Sequence, residues 1–408
     1  MIKLKTKEKC CGCGACEQAC AKSCITMVED KEGFLYPQVN SDACVDCHLC
    51  EKVCPVINVK ENKIPEDTLT YAAYNNSMTQ RMSASSGGIF ELLAKKMLEE
   101  GGHVYGAVFD DEFNVVHSCA SNLDELEPLK RSKYVQSEIG DSYAIIKKRL
   151  ANGENVLFVG TPCQVAGLKS FLRKEYDNLI TIDVVCHGVP SPLVWRKYLT
   201  EIKYEFAAKF GSANINKVKI NEISFRDKVE SWRRFHLSIK MVFMKDGIDA
   251  TGADSMSETY SRYVWEDPYM LSFLNDYALR PSCYSCSFRN GKCKSDISLA
   301  DFWRINEHTN DARWNGTEGT SVVHLHTEKG IKYFSDIECA KSKYKFIQGY
   351  NAAMLYDWPK PYGRTIFFKK LLFHSVEDTF RSVQKMNRVF NPIYSIYRKI
   401  IRKWQKLV

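Results

Sequence analysis

The sequence predicts two unlike units joined by a polar linker: a small α+β module in front and a larger α/β body behind. Two observations predict the module. Eight of its cysteines repeat one spacing, as Cys10, Cys13, Cys16, Cys20 and then Cys44, Cys47, Cys50, Cys54. Between the runs, Ile25 to Val28 and Phe34 to Val39 read as strands of a hairpin around a charged turn at Gly33. A third observation predicts the body: from Thr70 onward, apolar strand-like runs alternate with helical segments, the pattern of an α/β core.

The repeated C-x2-C-x2-C-x3-C, with Pro55 after the second copy, is the ligand spacing of a bacterial two-cluster ferredoxin. A [4Fe–4S] cluster needs four thiolates, and the x2 spacing brings three of them to one face from a tight loop. The fourth cysteine of each run ligates the other cluster. One cluster is therefore assigned Cys10, Cys13, Cys16 and Cys54, and the other Cys44, Cys47, Cys50 and Cys20. Structural zinc is the competing reading, but zinc sites usually pair two C-x2-C knuckles across a longer gap. Cys11 is out of register and Cys24 lies beyond the run, so both are read as non-ligands. Ala21 stands where the second copy has Pro55, which loosens a turn without removing a ligand.

Composition bounds the rest. A chain of 408 residues is expected to form two or three domains. No run of about 18 apolar residues is present, and MIKLKTKEKCCGCG offers no apolar signal core, so a cytoplasmic location is expected. Seventeen cysteines in that setting mean metal rather than disulfides. The net charge of +8 equals the eight cations of the acid-free stretch from Thr379 to Val408. The remainder is neutral, which argues against a nucleic-acid-binding body.

The elements follow in order. Residues 58–69 read as the linker after a module at 1–57. YAAY is a strand, and SASSGGIFELLAKKMLEEGG is a loop entering a helix, with Ser83 to Ser86 available as caps. HVYGAVF and VVHSCA are strands, SYAIIKKRLANG a helix and NVLFVG a buried strand. TPCQVAGLKSFLRK is a helix capped at Thr161 with Pro162 at its first position, and Ser191–Pro192 opens the next helix after ITIDVVC. VKINEISF, FHLSIKMVF, DISLADFW and SVVHLHT read as further strands.

Four body cysteines occupy telling places. Cys163 is in the first turn of a helix after a buried strand, Cys186 follows the next such strand, and Cys283 and Cys286 form a C-x2-C. Strand ends on one edge of an α/β sheet are where cofactors bind. Spacing alone leaves two readings open: a third cluster, or buried structural cysteines beside a small zinc site. Cys293 competes as a ligand, whereas Cys119 and Cys339 read as ordinary half-buried cysteines. No G-x-G-x-x-G is present, which disfavours a Rossmann nicotinamide site. His187 and Asp183 flank Cys186 and would suit a proton relay, against the plainer reading of a satisfied core histidine.

The segments SSGGIFELL, RSKYVQS, GTPCQVAGLKSFL, VVCHG, RPSCYSC and SDISLADFW resemble the family of beta subunits of coenzyme F420 hydrogenases and dehydrogenases, in order and over about residues 1 to 340. The resemblance implies an α+β ferredoxin module fused to an α/β body that binds flavin and iron–sulfur. It implies a third [4Fe–4S] cluster on Cys163, Cys186, Cys283 and Cys286. It implies FAD against Ser85, Ser86, Gly87, Gly88, Lys133 and Tyr134, with 70–155 as the FAD-binding part and 156–350 as the domain of the inner cluster. SSGG before a helix suits that assignment if its N–H groups are free and its small side chains admit a pyrophosphate; a helix cap plus a turn is the alternative. Lys133 would balance a flavin phosphate or an anionic ring, unless it is merely solvated.

An iron–sulfur flavoprotein oxidoreductase is therefore expected, exchanging electrons with a redox partner protein such as a ferredoxin or a hydrogenase- or dehydrogenase-like chain. The organic substrate is left open between F420 and a biosynthetic intermediate, including a lipid-linked one or one of polysaccharide synthesis. The alternative is a non-catalytic electron-transfer subunit. Residues 351–408 read as a basic helical tail. Within it, Ile393, Ile396, Tyr397, Ile400, Ile401, Trp404 and Leu407 form one stripe opposite Arg398, Lys399, Arg402, Lys403 and Lys406, which suits peripheral contact with the inner membrane face; a terminal helix docked on its own core is the alternative.

Overall fold

The computed structural model describes residues 2–59, 68–244, 256–289, 295–314, 316–345, 351–354, 358–390 and 396. In the module, α1 (Ala15–Gln18) follows the first three cysteines. The hairpin β1 (Ile25–Glu29) and β2 (Leu35–Val39) comes next, and α2 (Leu49–Lys52) carries Cys50. The hairpin pairs antiparallel from Ile25↔Val39 to Glu29↔Leu35. Its turn is held by Asp30, whose carboxylate accepts from the Glu32 and Phe34 N–H groups at 2.9 and 3.0 Å.

The body opens with β3 (Leu69–Tyr74), α3 (Met78–Ser83), α4 (Ile89–Glu99), β4 (His103–Phe109), β5 (Val115–Ala120) and α5 (Ser142–Ala151). Then come β6 (Val156–Gly160), α6 (Pro162–Leu172), β7 (Leu179–Val184), α7 (Pro192–Ala208), β8 (Val218–Asp227), β9 (His236–Phe243) and β10 (Met256–Tyr263). It continues through α8 (Pro268–Leu274), β11 (Ile297–Asp301), β12 (Ser321–Leu325), α9 (Glu328–Ser335), β13 (Ala340–Tyr344), α10 (Arg364–Leu371) and α11 (Val376–Phe390).

Eight strands form one mixed sheet in the order β13-β3-β12-β11-β7-β6-β4-β5, and β10-β9-β8 form a second, antiparallel sheet. The four central strands β11, β7, β6 and β4 run parallel, so their C-terminal ends share one edge. Those strands are nearly continuous apolar runs, as Val156, Leu157 and Phe158 illustrate, because helices cover both faces. The caps form as expected: Thr161 opens α6 with a reciprocal Gln164 capping box, and the Ser191 side chain accepts from Val194 N–H.

Three expectations change. The expected division at 155 runs through the middle of the eight-stranded sheet, because β3, β4 and β5 pair with strands from beyond it. The expected tail from 351 begins inside the body: Phe367, Phe368 and Leu371 of α10 and Val376, Phe380 and Val383 of α11 are buried in the core around α7 and α8. The amphipathic stripe at 393–407 lies outside the described residues apart from Ile396. Finally, the SSGG serines do not cap α4. Ser83 ends α3, and Gly88 takes the N-cap position at φ +81°, a left-handed conformation that favours glycine. No described helix is long and apolar enough to cross a membrane.

Candidate functional site

The first cysteine run lies against the body, and of the second run Cys50 is buried while Cys47 reaches solvent. Cys11, Cys13 and Cys16 are buried, whereas Cys44 is half-buried and Cys47 is exposed. Burial, then the neighbouring thiols of Cys10 and Cys54, push the Cys16 thiol up to about 12. Cys54 therefore lies near Cys10 and Cys16, and Cys50 of the second run also lies near Cys16. Cys20, Cys44 and Cys50 gather around Cys24 and Ile25. Cys24, read as a non-ligand, lies 3.3 Å from Cys20 Sγ.

The module is fixed to the body by two buried arginines. Arg364 grips Glu32 with both Nη atoms, at 2.9 and 2.6 Å. Arg280 donates to Cys10 O at 2.8 Å and to Leu35 O at 2.8 Å. Gly12 makes room for that guanidinium, since a Cβ there would meet Arg280 Nη1 at 2.7 Å. Gly167 of α6 does the same for Cys13, whose Cβ would be 2.8 Å away from an added methyl group.

Beyond that seam the four body cysteines converge. Cys163, the second residue of α6, Cys186, two residues past β7, and Cys283 and Cys286, around the turn Pro281–Ser285, line one pocket at the C-terminal edge of the parallel strands. Cys11 lines it too. Burial and the neighbouring Cys286 push the Cys283 thiol up to about 12. Burial raises Cys186 and Cys286 as well, each further raised by other members of the set. Cys163 is raised first by its contact with Cys11 and then by burial. The set also has donors that suit thiolate sulfur: Val189 N–H points at Cys283 Sγ at 3.4 Å, and Thr161 Oγ1 is 3.2 Å from Cys163 Sγ. Arg289 favours the ionised form of Cys186, Cys283 and Cys286. Among the described residues no three His, Cys, Asp or Glu side chains close around a single-ion point. A cubane asks for a wider ring, because each cysteine binds a different iron. Cys293 lies outside the described residues.

The expected flavin residues form a second region. Ser85 Oγ accepts from Ser132 N–H at 2.8 Å, which joins the SSGG loop to the RSKY segment. The glycines are explained by packing. Gly87 N–H donates to Ser321 Oγ at 3.0 Å, and a Cβ at Gly87 would meet Ala73 O at 2.6 Å and Ser321 N at 2.7 Å. The free N–H cradle expected at Gly87 is therefore taken up by β12. Tyr134 packs its ring against Phe273 and Phe225, at 5.2 and 5.6 Å between centroids. Lys133 is not a solvated lysine: its Nζ donates to Pro128 O and Lys130 O at 2.6 and 2.7 Å. Burial, reinforced by Arg131, pushes Lys133 down to about 7. Lys228 was missed by sequence reasoning. Its Nζ donates to Arg81 O at 2.7 Å, Ser86 O at 2.8 Å and Glu318 O, and burial and then Arg226 push it down to about 7 as well.

Residues 153–345 match the family model for the C terminus of the coenzyme F420 hydrogenase/dehydrogenase beta subunit, and residues 9–58 match a 4Fe-4S dicluster domain. Residues 153–345 thus carry that family's C-terminal domain, with a dicluster domain in front of it. The coenzyme F420-dependent sulfite reductase of Methanocaldococcus jannaschii is 25% identical over 193 residues, which is 47% of this chain and 29% of that protein. A subunit of the F(420)H(2) dehydrogenase of Methanosarcina mazei is 19% identical over 183 residues, 42% of this chain and 51% of that one. The chain thus spans about half or less of these curated relatives. A chain of the F420-reducing [NiFe] hydrogenase complex from Methanosarcina barkeri aligns at a TM-score of 0.40 and 14% identity, covering 80% of this chain and 94% of that one.

The residues flanking Cys186 are engaged in polar networks. His187 Nε2 is 2.8 Å from Asp276 Oδ1, and its ring lies 4.6 Å from that of Trp358. Asp183 accepts from Ser295 Oγ at 2.9 Å and from Ser298 Oγ. Cys119 and Cys339 do not line the thiol pocket. Arg280, Gln136 and Cys11 do belong to the junction and were missed as functional residues. Only the doubled cysteine at Cys10–Cys11 gave a signal in the sequence.

Proposed function

We propose that this chain is an iron–sulfur flavoprotein oxidoreductase, exchanging electrons with a redox partner protein and acting on an organic two-electron substrate. The observation that carries the reading is the grouping of Cys163, Cys186, Cys283 and Cys286 with Cys11 around one pocket, against the dicluster module. Those four body cysteines would hold a third [4Fe–4S] cluster. Cys10, Cys13, Cys16 and Cys54 would hold the first, and Cys20, Cys44, Cys47 and Cys50 the second. FAD would lie beside Ser85, Ser86 and Lys133, with Lys228 behind the loop and Gly87, Gly88 and Tyr134 shaping it rather than touching phosphate.

When bound, clusters supply single electrons, and a flavin couples them to a two-electron organic reaction. The protein's part is orientation and electrostatics. The exposed Cys47 end suits a partner protein, the buried Cys11–Cys163 contact holds the module against the inner set, and Lys133 supplies a cation to an anionic ligand. The names of both curated relatives mention F420, which makes F420 or a compound like it the first substrate to try. A second reading, a non-catalytic electron-transfer chain that serves another protein, is supported by the Methanosarcina mazei relative, which is itself one subunit of a dehydrogenase.

Anaerobic purification with iron, sulfide, zinc and flavin quantified tests both. Three clusters require about twelve irons per chain, falling to about eight in Cys283→Ser. Eight irons in the parent, unchanged by that substitution, would remove the inner cluster. Full iron with no flavin would favour the electron-transfer reading, and zinc at two or more equivalents would overturn both.

A further inference from the structure

Arg280 is 0% exposed, and among the described residues no carboxylate pairs with it. Its polar contacts are the Cys10 and Leu35 carbonyls, Gln136 Oε1 at 3.0 Å and Cys10 Sγ at 3.6 Å from Nη2. It also lines the pocket of the inner thiols, and it acts through space on Cys163, favouring its thiolate. The guanidinium stands over the Tyr36 ring, 4.3 Å from the centroid. A buried cation without an acid is costly unless something nearby carries negative charge. Here the nearby groups are sulfurs of two cysteine sets. The bridge is tight, because Cys11 touches both Cys13 of the first run and Cys163 of the inner set. None of these contacts reaches Cys20, Cys44, Cys47 or Cys50.

We propose that Arg280 is a positioning residue whose buried charge is shared by the first-run and inner cysteine sets, raising the reduction potential of both and leaving the outer set alone. The inference rests on the three-cluster reading above. One-electron reduction makes a thiolate-bound cluster more negative, so a fixed cation and an N–H to sulfur both favour the reduced form. Gln136 holds the cation in place: its Oε1 accepts from Nη1, and its Nε2 donates to Cys11 O at 3.1 Å.

The test is an anaerobic dithionite titration of the full, iron-loaded chain, followed by electron paramagnetic resonance. In Arg280→Gln, two of the three reduction waves should move to lower potential and the third should stay. A tenfold change in the equilibrium constant is about 59 mV for a one-electron couple, and at least that is expected for the first-run wave. Arg280→Lys, which keeps the charge, should restore most of the shift. Gln136→Glu keeps the arginine in place and sets a carboxylate against it. It should lower the same two waves, and it carries the test if Arg280→Gln loses iron. Three unmoved waves in both variants, or three waves moving together, would overturn the assignment while leaving three clusters standing. A parent with only eight irons would overturn both the three-cluster reading and the sharing of Arg280.

Discussion

Burial penalises opposite charges in the thiol junction and in the loop around the half-buried Lys133. At the junction it acts on thiols: Cys283 is pushed up to about 12, Cys186 is raised well above the ordinary range, and Cys163 is raised first by Cys11 and then by burial, with Arg280 and Arg289 as the cations acting on them. Around the loop it acts on lysines: Lys133 and Lys228 are both pushed down to about 7. On the proposed reading the first region would be completed by metal, which ionises thiols and sets negative charge beside Arg280. On the same reading the second would be completed by an anion, which would return the lysines to their charged form. That reading asks one fold to meet two ligand demands of opposite sign.

The largest effect is expected where the module is pinned. Arg364→Ala leaves Glu32 without its bidentate partner, at a site where the arginine side chain is only 3% exposed. Breaking such a pair by removing one member costs about 3–5 kcal/mol. The comparison predicts an asymmetric outcome, with the junction destabilised and iron lost while flavin binding at the loop persists. Thermal unfolding with iron and flavin counts checks this. Equal loss of both groups would mean that the two regions are not separable.

Two glycines test the regions at the next level down. Gly167→Ala pushes a methyl group into Cys13, and Gly87→Ala pushes one between Ala73 O and Ser321 N. Overpacking of this kind costs about 1–3 kcal/mol. Gly167→Ala should lower iron content, and Gly87→Ala should lower the melting temperature of flavin-free protein by as much as that of the loaded protein. A Gly87→Ala chain that is stable but flavin-free would restore the glycine to a ligand-facing role.

The same contrast governs how much could be read in advance. The two cysteine runs, the capped helices at Thr161 and Ser191 and the parallel strands before Cys163 and Cys186 were legible, because spacing, caps and apolar runs are local. Metal-ligand residues also announce their chemistry by type. Glycines and serines do not: Gly87 is required by strand packing and Gly88 by its φ, and neither cause can be told from phosphate binding in the sequence. Arg280 and Lys228 were illegible because their meaning lies in partners far along the chain, such as Cys10 and Ser86. In the sequence α10 and α11 read as a tail because one-sided charge over 379–408 masks the buried face of Val376, Phe380 and Val383.

The smallest expected effect isolates the charge on Lys133. Its folded-state value of about 7 lies below the ordinary 10.5, so the charged form is disfavoured by folding. Below about 7 both states hold the proton, and the full cost of burying a cation is present. Between the two values the unfolded chain binds more protons than the folded one, so stability rises with pH across that window and levels off above it. Lys133→Met should therefore stabilise flavin-free protein relative to the parent most at low pH, with the difference shrinking as pH approaches 10.5. The side chain is only half-buried, so solvent screening limits the effect to about 1 kcal/mol or less. The hydrogen bonds lost to Pro128 O and Lys130 O offset the gain by a constant amount, because carbonyls do not titrate in this range. The pH dependence of the difference, and not its sign at one pH, is the readout. Inorganic phosphate or FAD at the site would raise the lysine's value and flatten the curve of the parent alone. A parent curve with the same slope in saturating FAD would remove Lys133 from the flavin region.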